Sequence, residues 1–155
     1  MRRIAGLCVA TPPSVLLVSP ESGARTLLQS ILQKAQCRTL ACARCRDAAD
    51  LIHLASAVIC ERVLPDGSWL DVLRAARALS PAPALIVTAR PADAGLWAEV
   101  LHFGGYDVLA QPFRAEEVMW AVKGAHGRWA AEAGTGASQR PAVPEQTAFR
   151  PYAFR

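Results

Sequence analysis

The chain lacks any long hydrophobic run. Hydrophobic residues make up 52% of its 155 positions, yet none of its apolar stretches approaches the ~18–20 residues that a helix needs to cross a bilayer. Arg2 and Arg3 could open a signal peptide, but the apolar stretch behind them reaches Thr11-Pro12-Pro13 almost at once. We therefore expect neither secretion nor membrane binding, and one domain with a buried core.

Motifs for phosphate binding and for hydrolytic catalysis are missing as well. Residues 19–23 read Ser-Pro-Glu-Ser-Gly, which has neither the spacing nor the lysine of a P-loop. No Gly-x-Ser-x-Gly motif occurs. The net charge is only +4, and the arginines are scattered rather than grouped, which argues against a nucleic-acid surface. We expect a protein that is not an enzyme and that binds no cofactor and no nucleic acid.

Cysteine and histidine are present but poorly placed for a metal site. An odd count of five cysteines, with Cys60 inside an apolar segment, indicates reduced thiols in the cytoplasm. His53, His102 and His126 lie on three different predicted helices or helix ends, so a zinc ion would lack a ligand set. We expect no bound metal ion.

The segment Cys42-Ala43-Arg44-Cys45 has the spacing of a redox motif. Arg44 and Arg46 would favour a thiolate, and a helix that begins near Cys45 would lower the pKa of a thiol. No flanking aromatic residue accompanies the pair. A thiol-redox module that uses Cys42 and Cys45 therefore remains an alternative function, and incidental cysteines are the favoured interpretation.

What the chain does contain is a regular alternation of strands and helices. Apolar runs rich in β-branched residues predict five buried strands, at residues 14–18, 37–43, 57–60, 84–87 and 107–109. Periodic segments predict helices at 19–36, 47–54, 70–79, 92–102 and 115–129. The first helix is predicted to have Ser19 as its N-cap and Pro20 in its first turn. The order predicts an α/β fold, a doubly wound five-stranded parallel sheet flanked by five helices. Its functional crevice should lie beyond the carboxyl ends of the strands.

These elements divide the chain into three parts. Residues 1–13 form an N-terminal extension, residues 14–129 form the domain, and residues 130–155 form a C-terminal tail. We predict that the tail is flexible, because Ala, Gly, Pro, Gln and Thr dominate it without periodicity. Residues 149–155 hold three aromatic side chains, so a docking peptide is the alternative interpretation.

Three motifs stand at predicted strand ends. Residues 61–67 read Glu-Arg-Val-Leu-Pro-Asp-Gly, residues 87–89 read Val-Thr-Ala, and residues 104–113 read Gly-Gly-Tyr-Asp-Val-Leu-Ala-Gln-Pro-Phe. Over about residues 14–128 this layout resembles the receiver domain of bacterial two-component response regulators, the CheY-like superfamily. The first motif is similar to the family's phospho-acceptor loop with its Leu-Pro-Asp-Gly turn. The second is similar to the hydroxyl-bearing end of strand four, and the third to the stretch that ends in Lys-Pro-Phe.

The resemblance also implies which residues occupy the family's reactive positions. In chain order, Ser19 and Pro20 match the acidic pair that holds Mg²⁺, Glu61 matches the phospho-acceptor Asp, Thr88 and Val108 match the two switch positions, and Gln111 matches the Lys that contacts the phosphoryl oxygens. Only Thr88 keeps the family's chemistry. Val108 stands where the family has an aromatic residue, although Tyr106 lies two residues earlier.

These departures decide the expected chemistry. Phosphoryl transfer depends on positioning and on neutralising the charge of the equatorial oxygens. Mg²⁺ needs carboxylate ligands in close octahedral geometry, which Ser19 and Pro20 cannot supply. We therefore expect an atypical, degenerate receiver domain that acts in signal transduction by protein–protein interaction, independent of phosphorylation. A weakly phosphorylated phosphorelay receiver remains an alternative.

Glu61 itself carries a further hypothesis. Its extra methylene group moves the carboxylate outward, toward the place of a phosphoryl group on Asp. We hypothesise that Glu61 accepts a hydrogen bond from Thr88 or Gln111, as a permanent partial mimic of the phosphorylated state. A solvated carboxylate without a role is the alternative.

The expected partners are other signalling proteins. Trp120 and Trp129 are nine residues apart and therefore about 180° apart around the predicted last helix, so we expect at least one of them to be exposed. Receivers often pair through the face formed by helix four, strand five and helix five. The resemblance thus implies a homodimer through that face as a candidate assembly.

Overall fold

The computed structural model describes residues 12–90 and 93–134. Five strands build its main sheet: β1 Ser14–Val18, β2 Arg38–Cys42, β3 Ala57–Glu61, β4 Ala84–Ala89 and β5 Asp107–Ala110. The α-helices are α1 Gly23–Lys34, α2 Cys45–Leu51, α3 Trp69–Arg77, α4 Leu96–Phe103 and α5 Ala115–Gly134. A 3₁₀ turn, Ile52–Leu54, extends α2, and Val63–Leu64 pairs with Gly67–Ser68 in a short hairpin.

The strands of the main sheet are all parallel and follow the order β2-β1-β3-β4-β5. The winding direction reverses at the pair β1 and β3, which is the topological switch point of the sheet. The doubly wound α/β fold predicted from the sequence is thereby confirmed. In such sheets the crevice beyond the carboxyl ends of the strands at the switch point is where ligands bind.

Both faces of the sheet are buried, which continuous apolar strands require. Leu16 and Val18 of β1 pack into a core with α2, α3 and α4, whereas Val15 and Leu17 pack into a second core with α1 and α5. Each fully buried Val or Leu stabilises the fold by about 1.5–3 kcal/mol relative to an exposed one. The strand ends are therefore held firmly from both sides. Among the described residues, no helix has the length and apolarity needed to cross a membrane.

The start of α1 differs from the prediction. Ser22 is the N-cap, and its hydroxyl accepts a hydrogen bond from the Arg25 N–H at 3.2 Å. Ser19 instead continues the path of β1, because its N–H donates to the Cys42 carbonyl at 2.8 Å. The prediction that Ser19 caps α1 was wrong. The Ser19 hydroxyl can therefore form a hydrogen bond with a side chain at the carboxyl edge of the sheet.

Other helix limits shift by a few residues. Helix α2 begins at Cys45 rather than at residue 47, because the carboxylate of Asp66 accepts hydrogen bonds from its first N–H groups. Helix α4 begins at Leu96 rather than at residue 92. Helix α5 continues to Gly134 instead of ending at residue 129, since alanine, the best helix former, fills positions 130, 131 and 133. The remainder of the predicted tail and residues 1–11 of the predicted extension lie outside the described residues.

Gly104 ends α4 in a left-handed conformation with φ of 103°. A Cβ at this position would also overlap the guanidinium group of Arg77. We expect Gly104→Ala to lower the free energy of unfolding by about 1–2 kcal/mol, because an L-residue is strained in this region. Urea unfolding followed by circular dichroism measures the change.

Gly127→Ala is the matched control. Gly127 lies within α5, and, apart from its chain neighbours and the nearby backbone of α5, no atom of the described residues lies within 4 Å of the place that its Cβ would take. We expect this substitution to raise the free energy of unfolding by about 0.4–1 kcal/mol, because alanine has less conformational entropy than glycine in the unfolded chain. Equal effects of the two substitutions would contradict the left-handed assignment of Gly104.

Candidate functional site

The candidate site lies at the carboxyl edge of the sheet, around Glu61. Glu61 is the last residue of β3 and is paired in register with Thr88 of β4. Ser19 follows β1, and Gln111 follows β5, where its N–H donates to the Ala89 carbonyl at 2.8 Å. Parallel strands end at one edge, so the topology brings these four side chains together. All four line one narrow cavity of about 10 Å³.

The shortest polar contact of the site joins Glu61 to Ser19. The Ser19 hydroxyl donates to Oε2 of Glu61 at 2.6 Å, a distance typical of a strong O–H···O⁻ bond. The same hydroxyl oxygen lies 3.1 Å from the Pro20 carbonyl oxygen. Ser19 is only 5% exposed. Ser19 therefore acts as a buried hydrogen-bond donor to the Glu61 carboxylate.

The hypothesised hydrogen bond from Thr88 or Gln111 to Glu61 is not found among the described residues, where the partner of Glu61 is Ser19. Ser19 reaches the carboxylate because it does not cap α1 and because β1 lies directly beside β3. Thr88 and Gln111 line the same cavity without taking that role. The carboxylate is thus tied to β1 rather than to β4 or β5.

A wider cleft of about 230 Å³ opens beside Glu61, and it has a mixed charge. Arg62 and Arg90 line it together with Asp93. Nη1 of Arg62 lies 3.5 Å from Oδ1 of Asp93, and Oδ2 of Asp93 accepts from the Arg90 N–H at 2.9 Å. Sequence reasoning assigned no role to these three residues: Arg62 lies inside the motif at residues 61–67 without a matched function, and Arg90 and Asp93 lie outside the three motifs.

A third arginine reaches the site from α1. Nη1 of Arg25 donates to the Ser19 carbonyl at 3.0 Å, and the Arg25 side chain lines the narrow cavity together with Glu61. The sequence contained one signal for it, a cation three residues after the Ser22 cap. The site therefore contains a positive charge that the sequence analysis did not assign.

Thr88 and Val108, which the resemblance matches to the family's switch positions, are both buried. Thr88 is 5% exposed and Val108 is 6% exposed, and Val108 packs into the core that α4 also joins. Tyr106 lies under α5: the place of a Cβ on Gly124 is taken by its hydroxyl, and the Arg128 guanidinium lies 5.4 Å from its ring centroid.

The turn after Glu61 forms as predicted. Its Pro65-Asp66 pair connects the two strands of the short hairpin. Both carboxylate oxygens of Asp66 accept from α2, from the Cys45 N–H at 2.7 Å and from the Arg46 N–H at 3.1 Å. The hydrogen bond from the Cys45 N–H is the main cause that lowers the pKa of Asp66. The acceptor loop is thus fixed to the start of α2.

Cys42 and Cys45 do not have the electropositive surroundings that a redox pair needs. Burial raises the pKa of Cys42, and burial together with the nearby Asp66 carboxylate raises the pKa of Cys45 to about 11. The expectation that Arg44 and Arg46 favour a thiolate was wrong. After burial, the charge with the largest effect on the pKa of Cys45 is the Asp66 carboxylate, and it raises that pKa. Burial also raises the pKa of Cys60.

The receiver resemblance implies Mg²⁺, and the residues present do not fit it. Within residues 12–90 and 93–134, no group of three or more His, Cys, Asp or Glu side chains could hold a metal ion. One oxygen of Glu61 already accepts from Ser19.

Comparisons with known proteins agree with the fold. No family model matches the sequence, and no curated protein does either. A putative response regulator from Chloroflexus aurantiacus J-10-fl superposes with a TM-score of 0.70 at 22% identity, over 76% of this chain and 100% of that chain. The signal receiver domain of an HD domain-containing protein from Pseudomonas fluorescens Pf-5 gives 0.73 at 21% identity, over 84% and 98%.

A third structure is the receiver domain of the sensor histidine kinase PA1611 from Pseudomonas aeruginosa PAO1, with a magnesium ion coordinated in its active-site cleft. It gives a TM-score of 0.66 at 21% identity, over 76% of this chain and 99% of that chain. The chain therefore has the fold of response-regulator receiver domains.

The thiol chemistry gives a direct test. Because the folded-state pKa of Cys45 is raised from 9.0 to about 11, the stability that this thiol contributes is present below pH 9 and is lost as the pH rises toward 11. At pH 8 we expect iodoacetamide to alkylate Cys45 in the folded protein at least about tenfold more slowly than in the urea-unfolded chain, since the thiolate is the nucleophile. Peptide mass spectrometry measures the rate. A rapidly alkylated Cys45, or a reversible Cys42–Cys45 disulfide, would restore the redox interpretation.

Proposed function

We propose that this protein is an atypical receiver domain that acts in signal transduction through protein–protein contacts and without phosphorylation at Glu61. The observation that carries the proposal is the 2.6 Å hydrogen bond from Ser19 to Glu61. It links the acceptor position to the position of the lost acidic pair. The site thus holds a permanent carboxylate in a fixed place.

The proposal follows from what phosphoryl transfer needs. An acceptor carboxylate must attack in line while a metal ion and a cationic side chain neutralise the charge on the transferred group. Here one oxygen of Glu61 is engaged by Ser19. The acidic pair is replaced by Ser19 and Pro20, and Gln111 is neutral where the family has Lys. Each of these changes raises the barrier to phosphorylation.

The neighbouring structures supply the contrast. The receiver domain of the kinase PA1611 carries a magnesium ion in its active-site cleft. In the present chain the corresponding edge offers the Glu61 carboxylate, the hydroxyls of Ser19 and Thr88, and the Arg25 guanidinium. We propose that this edge maintains one conformation and that partners recognise the domain surfaces that this conformation presents.

This proposal replaces the hypothesis that Glu61 mimics the phosphorylated state through a hydrogen bond from Thr88 or Gln111. The Glu61 carboxylate bonds to β1, so its charge does not act on the Thr88 switch position through a hydrogen bond. We propose that Glu61 holds the Ser19 side chain in one orientation at the end of β1. Its role is then to keep the edge of the sheet in a constant arrangement.

A phosphodonor experiment tests the central proposal. We expect that Mg²⁺ and acetyl phosphate leave the intact mass of the protein unchanged and do not alter the fluorescence of Trp69. Trp69 is a suitable reporter because it is 2% exposed and lies in the core that α3 forms against the sheet, with its ring centroid 6.3 Å from that of Phe103. Saturable phosphorylation of the wild-type chain would overturn the proposal in favour of a weakly phosphorylated receiver.

A restored variant is the control for this experiment. Ser19→Asp, Pro20→Asp, Glu61→Asp and Gln111→Lys together return the family's residues to the four positions. We expect this variant to gain a phosphoryl group under the same conditions, because carboxylates for Mg²⁺ and a cation for the phosphoryl oxygens are then present.

The partner surface that we propose is the face formed by α4, β5 and α5, and the partner is a second copy of the chain. Trp120 of α5 is 57% exposed, which confirms the expectation that at least one of the two tryptophans is exposed. Trp129 is partly buried and stacks on His126 with centroids 5.9 Å apart. A large exposed aromatic side chain is the residue type that most often dominates an interface.

We expect Trp120→Ala to raise the dissociation constant of the homodimer by about 30-fold, the effect of removing one dominant interface residue. Sedimentation velocity over a concentration series measures it. Leu27→Ala on α1, where Leu27 is 43% exposed, is the matched control and should leave association unchanged. A wild-type chain that stays monomeric at millimolar concentration would contradict the homodimer.

A further inference from the structure

Arg25 occupies an unusual place for a positive charge. It lies in the first turn of α1, and its N–H donates to the hydroxyl of the Ser22 cap at 3.2 Å. Helical side chains lean toward the N-terminus of their helix. The Arg25 guanidinium therefore extends past the cap to the Ser19 carbonyl, where Nη1 donates at 3.0 Å.

The helix itself disfavours this arrangement. The N-terminus of a helix carries a partial positive charge, so an acidic side chain is stabilised there and a cation is destabilised. The first turn of α1 contains no acidic residue that would compensate. A cation that persists at this position needs negative partners outside the helix, and the Ser19 carbonyl oxygen is one of them.

Glu61 is the negatively charged side chain that shares a cavity with Arg25. The Glu61 carboxylate and the Arg25 side chain line the same narrow cavity of about 10 Å³. Of the described residues that line this cavity, Arg25 alone carries a positive charge. Arg62 and Arg90 line the wider cleft instead, and Arg62 faces Asp93 there.

We infer that Arg25 is the internal counter-cation of Glu61 and replaces, within the chain, the positive charge that a bound metal ion gives to a receiver site. This inference rests on the proposed function, because it requires Glu61 to remain an unmodified carboxylate. Arg25 acts through Glu61 and Ser19 and is therefore a positioning residue. The consequence is a site whose charge balance is complete without an ion from solution.

A double-mutant cycle tests the coupling between the two charges. We expect Arg25→Gln to raise the unfolding equilibrium constant about fivefold in the wild-type background and less than about twofold in the Glu61→Gln background, since opposite charges that line one narrow cavity attract each other. Urea unfolding of the four proteins measures this. Equal effects of Arg25→Gln in both backgrounds would overturn the inference.

Two further variants separate charge from packing. Arg25→Lys keeps the positive charge and should recover part of the stability that Arg25→Gln loses, whereas a purely steric role predicts no recovery. Arg38→Gln removes an exposed arginine at the opposite end of β2 and should have the same small effect in both backgrounds.

A metal titration tests the replacement directly. In the variant Ser19→Asp with Pro20→Asp, the acidic donors of the family are restored while Arg25 remains. We expect the further change Arg25→Gln to tighten Mg²⁺ binding by about tenfold or more, measured by calorimetry, because a cation beside the site opposes a second cation. Equal Mg²⁺ affinity with and without Arg25 would contradict the inference.

These readouts are independent of the phosphodonor experiment. Loss of the Arg25–Glu61 coupling would leave the absence of phosphorylation unaffected. Conversely, phosphorylation of the wild-type chain would overturn the proposed function even where the two charges couple in the unmodified protein.

Discussion

The hydrogen bond between Ser19 and Glu61 is the interaction around which the site is organised. It connects the ends of β1 and β3, the two strands at the switch point of the sheet, across a donor–acceptor distance of 2.6 Å. A short bond to a carboxylate is stronger than a bond between neutral groups. It engages one Glu61 oxygen, and the backbone carbonyl of the same Ser19 accepts a hydrogen bond from Arg25.

The sheet makes this arrangement rigid. Leu16 and Leu17 of β1 point into opposite cores, and both are at most 1% exposed. Moving the end of β1 by one residue would exchange the two faces and expose apolar side chains. The position of Ser19 is therefore fixed by hydrophobic packing several residues away, and the hydrogen bond forms between two groups that are already close.

The sequence was sufficient for the fold because the fold depends on hydrophobic pattern. Five apolar runs predicted the five strands, and the stretch 104–113 placed Gln111 beyond β5 correctly. The pairing within the site could not be predicted in the same way. Ser19 was expected to cap α1, since a Ser-Pro pair is a common helix start, yet the competing cap Ser22 lies only three residues later.

Arg25 and Asp66 illustrate the same limit. Their roles depend on where a long side chain or a loop carboxylate ends in space, and residue type does not determine that. The helical extension of α5 to Gly134 was missed for a different reason. Alanine is common both in helices and in low-complexity segments, so the composition of residues 130–134 did not distinguish the two. Local propensity was ambiguous there, and the structure resolves it.

The hairpin that follows Glu61 has a mechanical consequence. Asp66 attaches it to the first turn of α2, and Ser68 and Asp71 attach it to α3 through a capping box. The Trp69 N–H adds a hydrogen bond to the Arg62 carbonyl at 3.1 Å. A segment tied at both ends to two helices transmits force as a brace does. A displacement of α2 or α3 would therefore move the residues that follow Glu61 with it, at the carboxyl edge of the sheet.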